Sequence, residues 1–335
     1  MVIQNNSDFL FLFEAALNNP NGDPDQENKP RMDYDTDTNL CTDVRVKRSI
    51  RDYMKSAGEE IFVDLEGDAK VTMEKKFDEV FARIWDNEAE MRRVLNSEDA
   101  FNQYMALKEK ELKKTRDKIV TEKPANPAFN QALLRGLVGN KFIDIRMFGS
   151  AFAVKGFKNV TGAIQINWGY SLNKVFLLGS DTVASVMSDG NSTFGKDYRV
   201  KYSLLAFHGT INRAAGQTTG LTDADLDKFR DAIWQSVSAN PTRSKINQYP
   251  KLYLEITYNK KYYNGHFGDL RSLLKVEPRE SGKDKEVRNL NDLRIDFSDL
   301  KKVLVENTGD DKAIMKVELK FSPDMEILFN LQKKP

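Results

Sequence analysis

Apolar residues recur along this chain with two different periods, and the switch between them divides it into regions. Residues 9–17 (FLFLFEAAL) are almost continuously apolar and run into NNPNGDP, a cluster of turn formers, so they predict a buried first strand that opens into a long loop. Past Thr42 the spacing becomes helical. Val46, Ile50 and Tyr53 recur at i, i+4 and i+7 as one apolar face, Lys47, Arg48 and Arg51 fall on another, and Thr42 or Asp43 can cap the start. Residues 45–51 hold four basic side chains and no acidic one.

Residues 73–123 keep the helical period over a longer stretch. Phe77, Val80, Phe81, Ile84 and Trp85 form a stripe that Met91, Val94 and Leu95 continue and Phe101, Tyr104 and Met105 extend, and the break comes at Pro124 and Pro127. This block predicts a helical insertion over 68–130, with its Lys and Glu on a solvated face. From Phe142 the texture turns to β. IDIRMFGSAFAV, TGAIQINWGYSL, VKYSLLAFHGTI and PKLYLEITYN are β-prone runs separated by glycine or polar turns. One helix stands among them, LTDADLDKFRDAIWQSV, with an Asp cap candidate and apolar positions at Leu226, Phe229, Ile233 and Val237. Near the end, IDFSDLKKVLVEN predicts a short helix and AIMKVELKFS a last strand, while 277–291 (EPRESGKDKEVRNLN) reads as a mobile charged loop. Strands mixed with a few helices indicate an α+β fold, with no convincing repeat.

Composition trims the functions open to such a fold. The chain has 335 residues, enough for one large domain or two ordinary ones, and 40% of them are hydrophobic. A net charge of +1 argues against a histone-like polycation, although 30% of the residues are charged and local patches matter more than the sum. The single cysteine, Cys41, excludes an intrachain disulfide and fits a reducing compartment. With only His208 and His266 beside it, ligands for a structural zinc site are too few. MVIQNNSDFLFLFEAAL lacks a basic n-region and its apolar run is short, so a soluble cytoplasmic protein with no membrane partner is expected.

Several motif fragments fail on context. GNSTFGKD (190–197) has the glycines and lysine of a phosphate loop, but Asp197 replaces the Ser or Thr that would hold magnesium, and YRVKYSLLAF after it reads as a strand where a helix is needed. The acidic loop offers Asp23, Asp25, Glu27, Asp33, Asp35 and Asp37, but it follows a strand and contains Pro20 and Pro24, unlike a calcium loop. Its residues are turn formers, and no two of the six carboxylates stand out for acid–base work. His208 has no Ser or Cys partner that the sequence identifies, and Cys41 has no histidine base. No cofactor is implied.

Basic clusters remain. The VRVKRSIR helix suits a row of phosphates, although the acidic loop beside it is an equally good partner. NPTRSKINQ (240–248) places Thr242, Arg243, Ser244, Lys245 and Gln248 in a loop between a helix and a strand, and all can bond phosphate or ribose oxygens. DIRMFGSAFAVKGF interleaves Arg146, Phe148, Phe152 and Lys155, as single-strand binders require, but KGFKNV is only a fragment of the aromatic sheet motif of RNA-recognition domains.

The order NPNGDPD, TDVRVKRSIRDY, DIRMFG, TGAIQI, VKYSLLAFHGTIN, GLTDADL and TRSK resembles the Cas7 family, the backbone subunit of type I CRISPR interference complexes (Cascade). TRSK in its position favours the type I-B branch, with type I-C next. The resemblance covers residues 9 to about 274, and neither 73–123 nor the tail beyond Val276 carries a matching motif. It implies a modified RNA-recognition (ferredoxin-like) palm from 1–67 and 131–335, the helical insertion as fingers, and a thumb hairpin at about 181–199. It also implies a job. Several copies stack along the guide RNA (crRNA) beside other Cascade subunits, each thumb flips out one nucleotide, and the held segments pair with target DNA. Carried over by motif, guide-backbone contacts fall to Thr42, Lys47, Arg48 and Arg51 in the basic helix and to Thr242, Arg243, Ser244 and Lys245 in TRSK. Arg146, Gly149 and His208 fit the RNA-facing side, and Met187 or Phe194 is the thumb wedge. Type III relatives cleave target RNA with an aspartate in the loop after the first strand. A metal-dependent ribonuclease using Asp23, Asp33 or a neighbour therefore stands beside the noncatalytic subunit, and a standalone single-strand RNA-binding module is a third possibility.

Overall fold

A computed structural model describes residues 1–66, 69–70, 73–121, 127–150, 159–184 and 194–331. The first apolar run forms strand β1 (Ser7–Asn18), buried along most of its length. Eight more strands join it among the described residues: β2 (Met32–Asp33), β3 (Thr38–Cys41), β4 (Ile164–Ile166), β5 (Gly169–Ser171), β6 (Leu177–Ala184), β7 (Phe194–Ile211), β8 (Gln248–Tyr258) and β9 (Ile314–Phe321). Across the sheet the order is β9-β8-β1-β7-β5-β3-β2, antiparallel at each step, and β4 and β6 also pair with β7. The helices are α1 (Asp43–Ser56), α2 (Met73–Ile84), α3 (Glu88–Leu95), α4 (Glu98–Leu107), α5 (Leu112–Thr121), α6 (Pro127–Leu134), α7 (Ile143–Phe148), α8 (Arg213–Thr219), α9 (Asp223–Ala239), α10 (Ser298–Asn307) and α11 (Pro323–Leu331). The fold is mixed α+β with an antiparallel sheet. None of these helices is long and apolar enough to cross a membrane.

The chain divides into two compact units. The first comprises Met1–Gln4, Met54–Ile164 and Asn212–Phe229, and the expected insertion over 68–130 falls within it. Its core is the predicted stripe: Phe77, Phe81, Met91, Leu95, Phe101 and Tyr104 pack with Phe129, Leu133 and Leu137. Burial of each such side chain stabilises by about 2 kcal/mol. Asn87 and Ser97 accept the N–H groups of Glu90 and Ala100, capping α3 and α4 and splitting the block into short helices. A π-helical turn, Arg135–Gly139, follows α6.

IDIRMF, expected as a strand, is the helix α7. Ile143, Asp144, Ile145, Met147 and Phe148 are all buried, so this short helix has no polar face, and its apolar spacing mimics alternation. The Asp144 carboxylate accepts the N–H groups of Phe62 and Val63 at 2.9 and 3.1 Å.

The second unit comprises Asn5–Tyr53, Gln165–Ile211 and Arg230–Pro335, and it holds the sheet. One sheet face carries Leu10, Leu12, Tyr202, Leu204, Leu254 and Ile256, and the C-terminal residues Leu270, Leu290, Leu293, Phe297, Leu300 and Met325 roof it. On the other face of β1 the alternate positions Phe9, Phe11 and Phe13 are aromatic: Phe13 stacks on Phe207 of β7 at 5.7 Å, and Phe9 on Tyr253 of β8 at 5.9 Å. Gly209 lies under the Phe9 ring and Gly169 under Phe207, where a β-carbon would overlap the ring. Residues 277–291, expected to be mobile, are instead built into this unit. Lys275–Pro278 pairs with Leu293–Asp296, and Val287 and Leu290 are buried in the roof. The predicted final helix and strand form as α10 and β9. The unpredicted α11 follows, with Phe329 against Phe297 at 5.1 Å.

β6 and β7 are the arms of an antiparallel hairpin that stays paired out to Ala184 opposite Phe194, with one shift of register between Leu178 and Asp181. Met187 and the Phe194 side chain lie outside the described residues.

Candidate nucleic-acid interface

The turn after β1 is a bracket. Leu17, the last residue but one of β1, sits at φ 51°, a left-handed conformation that costs roughly 1–2 kcal/mol for a residue with a β-carbon. Its neighbours hold it there. Ala16 N–H and Asn18 Nδ2 donate to the Asn247 carbonyl at 3.1 and 2.9 Å, and Gln248 Nε2 donates to Asn18 Oδ1 at 3.1 Å. Asn19 N–H donates to the Ser244 carbonyl at 3.0 Å, and Lys245 Nζ donates to the carbonyls of Asn19 and Pro20 at 2.5 and 3.2 Å. On the other side Asn21 Oδ1 accepts the Thr42 N–H at 2.8 Å and its hydroxyl at 2.9 Å. Thr42 Oγ1 in turn accepts the Arg45 N–H at 3.2 Å and caps α1. NNPN thus ties the TRSK loop to the start of the basic helix.

The bracket concentrates positive charge. Arg31, Arg45 and Lys245 lie around the buried Cys41. Burial pushes the Cys41 thiol up to about 12 although all three cations pull it down, so it stays protonated and offers them no charge. Burial, helped by repulsion from Arg45, brings the Lys245 ammonium down to about 8. Arg31 pairs with Asp23 at 3.1 Å, but its buried Nε has no hydrogen-bond acceptor among the described residues. Arg243 reaches outward, 65% exposed, and shares the Asp197 carboxylate with Arg199 at 3.0 and 2.8 Å. The residue that spoils the phosphate-loop motif is thus the anchor of two guanidiniums. Thr242 accepts the N–H groups of Lys245 and Ile246 and shapes the TRSK turn.

The basic helix is less purely basic than its sequence suggests. Lys47 pairs with Asp43 at 2.9 Å and Arg48 with Asp52 at 2.5 Å, both one turn away on the same helix. At 100° per residue, Arg48 lies about 60° from Arg45 and Arg51 about 60° further round, whereas Lys47 lies about 160° from Arg45. The acidic loop serves turns. Asp23 accepts the Asp25 N–H, and Asp33 accepts the Asp35 N–H and the Thr36 hydroxyl. Among the described residues no group of three His, Cys, Asp or Glu is placed to hold a metal ion.

A family model described as CRISPR-associated protein Cas7 matches residues 5–298. The chain belongs to the Cas7 family. A curated relative, the CRISPR-associated protein Cas7 of Haloferax volcanii, is 28% identical over 311 residues, covering 91% of this chain and 84% of the relative. Two solved chains are also similar. One is from a CRISPR RNA-guided surveillance complex, pre-nicking, with a TM-score of 0.43 and 12% identity over 80% of this chain and 85% of that one. The other is from a CRISPR RNA-guided surveillance complex, with a TM-score of 0.39 and 12% identity over 78% and 72%.

The remaining residues expected at the Cas7 interface have other surroundings. Arg146 belongs to the first unit. Its guanidinium makes a two-pronged bond to Asp225 at 2.9 and 2.7 Å and reaches the carbonyls of Gly139 and Asn140. Gly149 ends α7 at φ 69°, where a β-carbon would collide with the Val160 carbonyl and the Gly162 nitrogen. His208 is half-buried on the roofed face of β7. Its Nδ1 accepts the Leu270 N–H at 3.4 Å, and burial lowers its pKa despite nearby Asp8 and Asp269. Arg31, Arg45 and Asn21 escaped the sequence reading as contact or positioning residues. Arg45 stood inside VRVKR, four residues past Cys41 across the Thr42 cap, and the burial of Cys41 is what the sequence did not show.

Proposed function

We propose that this Cas7 chain is a noncatalytic guide-RNA-binding backbone subunit of a type I CRISPR surveillance complex, of the type I-B branch. Several copies stack along the spacer, and the guide they hold pairs with target DNA. The observation that carries the reading is the bracket, which gathers Arg31, Arg45 and Lys245 from three separate segments around Cys41, with Arg243 reaching outward from the same TRSK loop. Such a set of donors suits phosphate and ribose oxygens, which fix position without reading sequence. The palm reading draws support from the order β1–α1–β5–β7–α9–β8 along the chain against β8-β1-β7-β5 across the sheet. That is the βαββαβ arrangement of ferredoxin-like folds. The β6–β7 hairpin is the thumb in this reading.

Copurification tests it. Arg48→Glu with Arg243→Glu changes two partly exposed side chains and leaves the bracket's backbone bonds alone. The double variant is expected to keep its melting temperature and to lose guide RNA and the large assembly; full-length complexes with guide RNA would refute the assignment. The ribonuclease alternative is tested by incubating assembled complex with complementary RNA and magnesium. The RNA is expected to stay intact, and regularly spaced cuts that vanish on Asp23→Ala or Asp33→Ala would establish the alternative.

A further inference from the structure

The helical unit contains a cleft of about 640 Å³ that the guide interface does not use. Its floor is aliphatic, from Val80 and Ile84 of α2, Val94 of α3 and Leu137 of the π-helical turn. Its rim carries three cations, Arg83, Arg93 and Lys141, against one carboxylate, Glu90. Arg93 is 80% exposed and touches Glu90 at only 3.5 Å, and Lys141 pairs with Glu60 at 2.9 Å. The Arg83 guanidinium and the Asn140 side-chain amide are exposed, with no partner among the described residues. The wall is special. Gly136 sits so close to the Val94 carbonyl that a β-carbon would overlap it, within a π-helical segment of the kind that often marks functional positions.

We infer that this cleft binds one nucleotide of a single-stranded nucleic acid. An aliphatic floor takes a flat apolar body, the Asn140 amide can bond a base edge, and two guanidiniums fit a phosphate as forks and can lie against a base plane. A cleft of this size lies in the range that holds a compact ligand. A partner helix would need a groove with apolar anchors over several turns. The site goes beyond the guide interface: it lies wholly within the first unit and shares no residue with the bracket.

Photocrosslinking of the full-length protein tests this. The probes are a short single-stranded DNA carrying 5-iodouracil and the RNA of the same sequence. Peptide mapping is expected to find adducts within 80–94 or 135–141 with at least one of them, the sugar dependence showing which strand the cleft prefers. Arg83→Glu with Arg93→Glu, both on the surface, is expected to cut that adduct about tenfold or more while adducts at 240–248 persist. Adducts confined to other peptides, or unchanged in the double variant, would overturn the site. So would an oligoglutamate peptide that displaces the nucleic acid from the cleft at equal charge concentration, since that would mean general anion binding.

Discussion

Lys245 combines two duties that pull against each other. It holds the Asn19 and Pro20 carbonyls, and it sits buried beside Arg45, which brings its pKa to about 8. An arriving phosphate favours the charged form. Above pH 8, guide binding should therefore take up a proton, and affinity should fall by up to about tenfold per pH unit. Calorimetry in two buffers of different ionisation heat measures the uptake, and Lys245→Arg should abolish it. For the fold alone the sign is reversed. The unfolded chain binds this proton more tightly, so stability from this group rises with pH from about 8 toward the usual lysine range. Lys245 and Arg243 were legible because TRSK is contiguous. Arg31 was not, because it meets Lys245 only through the folding of the loop between β1 and α1.

At the scale of elements, α9 is pinned to the sheet by one guanidinium. Arg230 Nε reaches Glu255 at 2.8 Å and Glu318 at 3.0 Å, joining the helix to β8 and β9. Glu255 is completely buried and also accepts the Tyr253 hydroxyl at 2.7 Å. Arg230→Met would leave that carboxylate uncompensated and should cost about 3–5 kcal/mol in urea unfolding, with Arg230→Met/Glu255→Leu recovering much of it. Element types were readable where a polar face existed, as in α2 to α4 and α9. They failed where it did not. α7 is buried all round, α11 follows β9 after a single residue, and the charged 277–291 stretch hides Val287 and Leu290, two apolar residues that are enough to dock it.

For the whole molecule, a modest net charge and a concentrated patch have a measurable signature. If three or four phosphates meet each bracket, log affinity per subunit should fall with log salt at a slope of about −2 to −3. A slope near zero in a fluorescence titration would mean that the patch is not the interface.

The roof over the sheet has a consequence for how the chain is made. β1 is made well before its neighbours β7 and β8, which begin at Phe194 and Gln248, and the apolar cover of Leu10, Leu12 and Leu254 comes from Leu270 onward. The sheet unit therefore cannot close until the roof residues out to Met325 have been made, and contacts so distant in sequence form slowly. Until then the nascent chain carries a sticky, unfinished β-surface. Its yield in a cell should depend on chaperone capacity, whereas the helical unit, whose core lies mostly within Phe62–Ile145, can assemble while translation continues.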